Sequence, residues 1–302
     1  MDWEETKAFF APCFPEEISA ELELLYPGEL REIRVRAQRK CVFCTGSRSV
    51  TLPWRPTARE VEALADALCE HGLYARGGET SQGYVTLRGG HRMGLCGRVL
   101  REGGSPRALQ DIASVCIRVA CAWPGAADPL LPLCRTDAGV GSMLIIGPPG
   151  SGKTTILRDL ARQLASGRAP LQTAIIDERG ELAACVRGVP QLDVGETCDV
   201  LDGCPKEQAF PWLIRSMAPQ VAVTDELGHA GEISAVMDAM ASGIAVMASV
   251  HGTGLKEAAS RPALAAMMAQ RAFRHYVVLA PEGGGRILAV YDRNGSPLRA
   301  GE

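Results

Sequence analysis

The sequence predicts an α/β fold in which a mostly parallel β-sheet follows a smaller α+β domain. After about residue 125, apolar segments of strand length alternate with amphipathic helical patterns, which is typical of a parallel sheet covered by helices on both faces. Before that point, short segments of both kinds are mixed, and 302 residues are enough for two domains. We therefore predict an α+β domain over residues 1–124 and an α/β domain over residues 125–302.

Local signals predict the elements of the first domain. Thr57 to Glu60 form a capping box that begins a helix with a single apolar stripe. Alternating apolar residues and glycine turns predict two hairpins and one further strand, at residues 32–44, 84–100 and 115–119. The side chains expected to face inward in the first hairpin are Ile33, Val35, Val42 and Cys44.

A proline-rich segment precedes the strands of the second domain. Residues 123–132 combine prolines with small residues and are interpreted as a linker. A final strand at 287–291 is expected to lie antiparallel at the edge of the sheet. The other strands are predicted at 143–146, 173–177, 221–225, 245–250 and 276–279.

Composition indicates a globular, cytoplasmic protein. Hydrophobic residues make up 46% and charged residues 22% of the chain, and the net charge is -3. That charge argues against a nucleic-acid partner. No apolar run reaches the roughly 18 residues that span a bilayer, and the first residues carry acids where a signal peptide needs bases.

The 11 cysteines do not predict a metal or disulfide site. Cys41 and Cys44 form a CxxC pair, but no second pair lies at zinc-site spacing. We interpret them as half-buried strand thiols.

A glycine-rich loop follows the first strand of the second domain. The residues GPPGSGKT lie between that strand and the apolar stripe of a helix, which is the context of a P-loop. Backbone N–H groups of such a loop surround phosphates, Lys153 reaches the outer phosphates, and the Thr154 hydroxyl binds Mg²⁺. The chain is therefore predicted to bind ATP with Mg²⁺ on a RecA-like P-loop core. The predicted nucleotide-binding residues are Gly147, Pro148, Pro149, Gly150, Ser151, Gly152, Lys153, Thr154 and Thr155.

Two acids end the strand predicted at 221–225. P-loop proteins need a carboxylate at such a strand end for the magnesium shell, and Asp225 suits that role. Glu226 points elsewhere and is expected to align and polarise the attacking water. The pair predicts a hydrolase rather than a protein that only binds nucleotide.

A second apolar strand also ends in acids, Asp177 and Glu178, which are expected at the same edge of the sheet. Either acid is a candidate for the catalytic machinery, and a structural pair with Arg179 is the alternative. His251 ends a further strand, before a glycine-rich loop, where we expect it to sense the nucleotide state; a structural role is the alternative.

Arginines form a separate set of candidates. In ring ATPases an arginine from a neighbouring domain or subunit can neutralise transition-state charge, whereas arginines on a strand face are ordinarily solvated. The candidates are Arg34, Arg36, Arg98, Arg118, Arg271 and Arg274.

Several segments, in order, resemble the stage III sporulation protein AA family. They include residues 83–98, the P-loop to Leu160, IIDERGE to Glu181, DVLDGCPK to Lys206, IRSMAP from Ile214, and VTDELG to Gly228. The resemblance implies a mother-cell ATPase of endospore formation, similar to secretion and pilus motors. It further implies a homo-hexamer, membrane-protein partners in a sporulation channel complex, and a place at the inner face of the membrane. One departure is Asp225, because secretion motors commonly carry glycine at that position.

Two other functions stay open at the level of the sequence. One is a nucleotide-dependent scaffold with little turnover, which would tolerate Glu226→Gln. The other is a nucleic-acid-stimulated ATPase, which the acidic net charge disfavours.

Overall fold

The computed structural model describes residues 2–46, 48–75, 80, 83–102, 105–136, 139–281 and 284–298. The chain forms two compact units. The first comprises Met1–Cys121 with Cys185–Leu192, and the second comprises Ala122–Ala184 with Asp193–Glu302. The return of residues 185–192 to the first unit has no signal in the sequence.

The first unit contains a six-stranded antiparallel sheet in the order β3-β2-β1-β6-β5-β4. Its strands are β1 (Leu30–Arg36), β2 (Val42–Thr45), β3 (Ser49–Thr51), β4 (Tyr84–Thr86), β5 (Arg92–Glu102) and β6 (Ser105–Arg118). Its helices are α1 (Trp3–Phe10), α2 (Glu16–Glu23) and α3 (Ala58–Leu68), with 3₁₀ turns at Ala11–Cys13, Leu73–Ala75 and Arg88–Gly90.

Helix α3 begins where the sequence predicts it. The Thr57 hydroxyl accepts a hydrogen bond from the Glu60 N–H at 3.2 Å, and the Glu60 carboxylate accepts one from the Thr57 N–H at 2.7 Å. This reciprocal pair satisfies two N–H groups that the first turn leaves without helical partners. The predicted stripe is buried, and it consists of Val61, Leu64, Ala65 and Leu68.

The inward face of the first hairpin differs from the prediction. Ile33 pairs with Phe43, and both side chains are buried in the core. Val42 pairs with Arg34 on the other face, so Val42 and Cys44 are only half-buried. A shift of one residue moves every side chain of a strand to the opposite face of the sheet. The turn between β1 and β2 therefore fixes which β2 side chains face the core, and the apolar pattern alone does not.

The second unit contains a seven-stranded sheet in the order β11-β10-β12-β13-β9-β14-β15. All neighbours are parallel except β14 and β15, so the predicted antiparallel edge strand is confirmed. Its strands are β9 (Met143–Gly147), β10 (Thr173–Asp177), β11 (Cys198–Asp202), β12 (Val221–Thr224), β13 (Ala245–His251), β14 (His275–Leu279) and β15 (Ile287–Asp292). The sequence did not predict β11, whose half-exposed residues lack the apolar run of the central strands.

Helices and a small hairpin complete the second unit. The helices are α4 (Leu131–Cys134), α5 (Lys153–Leu164), α6 (Lys206–Ser216), α7 (Ala230–Ala241), α8 (Leu255–Ala259) and α9 (Pro262–Ala269). The hairpin pairs β7 (Arg135–Thr136) with β8 (Gly139–Val140). Within the described ranges, no helix combines the length and the apolar character needed to cross a bilayer.

The segment interpreted as a linker is part of the second unit. Ala127 and Leu130 are fully buried, and the Ala127 N–H donates a hydrogen bond of 2.8 Å to Asp159 on α5. Proline and small residues here allow tight turns against the helix, and a composition typical of a linker does not distinguish the two arrangements.

Candidate functional site

The predicted site lies at the carboxyl edge of the second unit's sheet. Strands β9 and β13 are neighbours, and so are β12 and β10, with β12 next to β13. The strand that ends at His251 therefore lies between the P-loop strand and the strand that leads to Asp225. Carboxyl ends of parallel strands share one edge, which is where open α/β sheets bind ligands.

Close approach and backbone conformation require glycine at two positions of the loop. A side chain on Gly147 would place its Cβ 2.4 Å from the Ser151 hydroxyl. Gly152 has a φ of +96°, and its Cβ would lie 2.5 Å from the backbone nitrogen of Gly285. That nitrogen donates a hydrogen bond of 2.9 Å to the Ser151 carbonyl, so the loop after β14 covers this part of the P-loop.

Lys153 lies in the mouth of the loop. Its ammonium donates hydrogen bonds to the Gly147 carbonyl at 2.8 Å and the Pro148 carbonyl at 2.9 Å, and its side chain is buried. Burial lowers the pKa of Lys153, while the negative charge of Glu226 opposes this shift. Thr154 and Thr155 are half-buried in the same first turn of α5.

Asp225 is buried immediately after β12. Its Oδ1 atom has no hydrogen-bond partner, and the Lys206 ammonium lies 3.4 Å from it without hydrogen-bond alignment. Burial raises the pKa of Asp225 to about 6, although Lys206 opposes the shift. An unsatisfied buried oxygen is costly unless a ligand or ion completes its contacts.

Glu226 is more accessible and has an unusual backbone conformation. Its φ of +28° is rare for a residue with a side chain, and strained conformations of this kind cluster at functional sites. The Glu226 N–H donates to the Ser249 hydroxyl at 3.0 Å, which anchors the turn to β13. The carboxylate accepts a hydrogen bond of 3.0 Å from Arg179.

The two acids at the end of β10 have different environments. Asp177 is fully buried, and its carboxylate accepts hydrogen bonds from the N–H groups of residues 181, 182, 183 and 184 at 2.7 to 3.3 Å. Asp177 therefore stabilises the conformation of the loop that follows β10. Glu178 instead accepts a hydrogen bond of 2.9 Å from Lys206. The predicted alternative, an acid paired with Arg179, occurs with Glu226 rather than with either of these acids.

No sequence pattern marks Lys206 as a functional residue. It begins α6, its side chain is 3% exposed, and its ammonium faces Glu178, Asp225 and, at 3.9 Å, Glu232. Burial lowers the pKa of Lys206, but the hydrogen bond to Glu178 and the surrounding negative charges outweigh it and raise that pKa. Arg158 on α5 was also missed: it donates hydrogen bonds to the carbonyls of Glu181 and Leu182, both at 2.6 Å.

His251 lies beside the P-loop. It is the last residue of β13, its register partner is Gly147 on β9, and its side chain is exposed. The next residue donates its N–H to the Gly147 carbonyl at 3.2 Å. The structure thus places the imidazole-bearing residue opposite the residue where the phosphate loop begins.

The candidate arginines fall in both units. Three of the four in the first unit contact acids of their own sheet: Arg34 and Arg118 contact Glu32, at 2.6 and 3.7 Å, and Arg98 contacts Asp111 at 2.9 Å. The fourth, Arg36, is half-buried on β1. In the second unit, Arg271 and Arg274 are exposed between α9 and β14.

The arrangement brings two lysines, two threonines and three acids to one end of a sheet, beside a loop whose glycines allow close approach to an anion. Positive charge and backbone N–H groups favour a phosphate there. Buried carboxylate and hydroxyl oxygens are the donors that Mg²⁺ prefers.

The chain matches a protein family across the segments that carry the resemblance. The chain matches the family described as sporulation stage III, protein AA, over residues 19–298. It is 40% identical over 274 residues to stage III sporulation protein AA of Bacillus subtilis (strain 168), a match that covers 89% of both chains. It is also 29% identical over 160 residues to Protein SEEDLING PLASTID DEVELOPMENT 1 of Arabidopsis thaliana, covering 52% of this chain and 22% of that protein.

Solved structures share the fold. The X-ray structure of the Legionella pneumophila ATPase DotB has a TM-score of 0.58 at 14% identity, over 87% of this chain and 77% of that one. The crystal structure of the pilus retraction motor PilT with bound ADP has a TM-score of 0.62 at 17% identity, over 91% of this chain and 81% of that one. These likenesses confirm the predicted α/β fold with its mostly parallel sheet.

Proposed function

The chain belongs to the stage III sporulation protein AA family, and on that premise we propose that it is a Mg²⁺-dependent ATPase that serves endospore formation as a secretion-type motor or assembly ATPase. The observation that carries the proposal is the placement of the buried Lys153, the buried Asp225 and the accessible Glu226 at the carboxyl edge of one sheet.

In this proposal, residues 147–155 bind the phosphates of ATP. The ammonium of Lys153 exchanges its two loop carbonyls for phosphate oxygens, which are better partners because they carry negative charge. Because the Lys153 side chain is buried, little water reaches the contact between its ammonium and the phosphates. The electrostatic attraction between them is therefore stronger than at a solvated surface.

Thr154 and Asp225 are the residues that would hold Mg²⁺. The Oδ1 atom of Asp225 supports the fit, because it has an ion pair with Lys206 at 3.4 Å but no hydrogen-bond partner, and a closer cation would satisfy it. Bound magnesium would neutralise charge on the phosphates.

Glu226 acts as the general base that aligns and deprotonates the attacking water. Its side chain is 42% exposed, so it is accessible to water, and the Ser249 hydroxyl holds its backbone in place. Glu178 takes part through Lys206, and His251 reports the presence of the outer phosphate from its place beside Gly147.

The proposal extends to the cellular setting, which the family membership supports. We propose a homo-hexamer at the inner face of the mother-cell membrane, attached through integral membrane proteins of a sporulation channel complex. The names of the relatives support it: one is a sporulation protein, and the structural neighbours are an ATPase and a pilus retraction motor.

One observation favours a second candidate, a nucleotide-dependent scaffold with little turnover. Arg179 holds the Glu226 carboxylate at 3.0 Å. If this pair persisted with ATP bound, the base would not reach water, and the protein would bind nucleotide without hydrolysing it.

An ATPase assay with Lys153→Ala, run beside light scattering with and without ATP, tests the proposal. We expect turnover by the unchanged chain, loss of at least about 100-fold in Lys153→Ala, and a larger particle when ATP is present. Lys256→Ala, which changes an exposed lysine on α8, is the matched control and should keep full activity. Turnover that does not depend on Lys153 would refute the proposed hydrolysis, and binding without turnover would support the scaffold.

A further inference from the structure

Lys206 is a buried lysine at a helix N-terminus, a position that does not favour a positive charge. It is the first residue of α6, where the helix dipole favours negative charge and disfavours an ammonium. Its side chain is nevertheless 3% exposed. Because a buried charge is costly unless it is paired, the position depends on the acids around it.

The acids come from separate parts of the sheet. Glu178 follows β10 and Asp225 follows β12, which are adjacent parallel strands. The Lys206 ammonium lies 2.9 Å from Glu178 and 3.4 Å from Asp225. Glu232 is farther away: its Oε1 atom lies 3.9 Å from the ammonium, and its Oε2 atom accepts hydrogen bonds from the N–H groups of Gly228 and His229.

These distances are those of an ammonium paired with carboxylates. Magnesium binds oxygen at about 2.1 Å, and calcium at about 2.3 to 2.6 Å. In the described part of the chain, no group of three or more His, Cys, Asp or Glu side chains is placed to hold a metal ion. The positive charge between Glu178 and Asp225 is that of the Lys206 ammonium.

We propose that Lys206 is a positioning residue that acts as a tethered cation: it holds Glu178 and Asp225 together and prevents a divalent ion from binding them before nucleotide arrives. This inference rests on the proposed function, in which Asp225 serves the magnesium shell. It makes the divalent cation bind together with the nucleotide, since only then do phosphate oxygens add to the donors. The order of binding is thereby set by one lysine.

Electron paramagnetic resonance of Mn²⁺, with the full chain and no nucleotide, tests the inference. The unchanged chain should take up Mn²⁺ only when nucleotide is added. Lys206→Met removes the ammonium and keeps the apolar stem, so nucleotide-free Mn²⁺ affinity should rise by at least about tenfold. The gain should disappear in Lys206→Met with Glu178→Gln, while Lys206→Arg and the surface control Lys256→Met should behave like the unchanged chain.

A second variant and a second measurement keep the test valid if Lys206→Met lowers the stability of the fold. Lys206→Gln keeps a hydrogen-bond donor for Glu178 and is measured beside Lys206→Met. Mn²⁺ should raise the melting temperature of both variants, because an ion that binds the folded state stabilises it. Folded variants that bind nucleotide but gain no Mn²⁺ affinity would overturn the inference, and so would nucleotide-free Mn²⁺ uptake at micromolar concentration by the unchanged chain. The readout uses no turnover: absence of Lys153-dependent hydrolysis would refute the proposed function and leave the Mn²⁺ result unaffected.

Discussion

Replacement of Asp177 by alanine should destabilise the second unit without removing a catalytic group. The carboxylate is fully buried at the end of β10 and accepts hydrogen bonds from four successive backbone N–H groups. Three of those donors belong to residues 182–184, which are themselves buried. Asp177→Ala would leave them without a partner.

The magnitude follows from these contacts. A hydrogen bond to a charged group contributes about 1.5 to 3 kcal/mol, so a simple sum over four donors is about 6 to 12 kcal/mol. The carboxylate no longer has to be desolvated in the variant, and the loop can move towards water, so both effects reduce the sum. We expect a net loss of about 3 to 5 kcal/mol in the free energy of unfolding.

Urea unfolding followed by circular dichroism measures this loss. Asp199→Ala is the matched control, since Asp199 is an exposed acid on the neighbouring strand β11 and its removal should change the free energy of unfolding by less than about 0.5 kcal/mol. An Asp177→Ala variant as stable as this control, but without ATPase activity, would refute the structural role and return Asp177 to the catalytic candidates.

Two further predictions concern the P-loop and the first unit. Gly152→Ala should weaken binding of a fluorescent ATP analogue far more than Gly150→Ala, because both positions have positive φ but only at Gly152 would a Cβ collide with backbone, 2.5 Å from Gly285; equal losses in titration would contradict this. Burial lowers the pKa of His91 to about 4, whereas the pKa is about 6.5 in the unfolded chain. The folded protein therefore keeps its full stability above pH 6.5 and loses part of it as the pH falls from 6.5 towards 4. Between pH 7 and pH 5 we expect a loss of about 2 kcal/mol that is smaller in His91→Gln, as measured by urea unfolding, and an unchanged pH dependence in the variant would refute it.

Elements with short-range signals could be predicted from the sequence. The capping box of α3 involves residues three positions apart, and the central strands of the second unit are continuous apolar runs between turns. The P-loop needs only the order strand, glycines, helix, which the sequence displays directly.

Contacts between distant residues could not be predicted in this way. Lys206 and Glu178 are 28 positions apart, and only the parallel pairing of β10 with β12 shows that their charges meet beside Asp225. The division of labour between Asp177 and Glu178 depends on a loop that turns back to offer its N–H groups to Asp177. Two adjacent acids look alike in sequence, and the backbone around them decides their roles.

The central claim, hydrolysis with Glu226 as the base, is tested most directly by Glu226→Gln in paired assays of nucleotide binding and steady-state turnover. Glutamine preserves size and can still be held by Ser249 through its backbone N–H, but it accepts no proton. We predict nucleotide binding within about threefold of the unchanged chain and turnover lower by about 100-fold or more. Unchanged turnover in Glu226→Gln would contradict the assignment of Glu226 as the base.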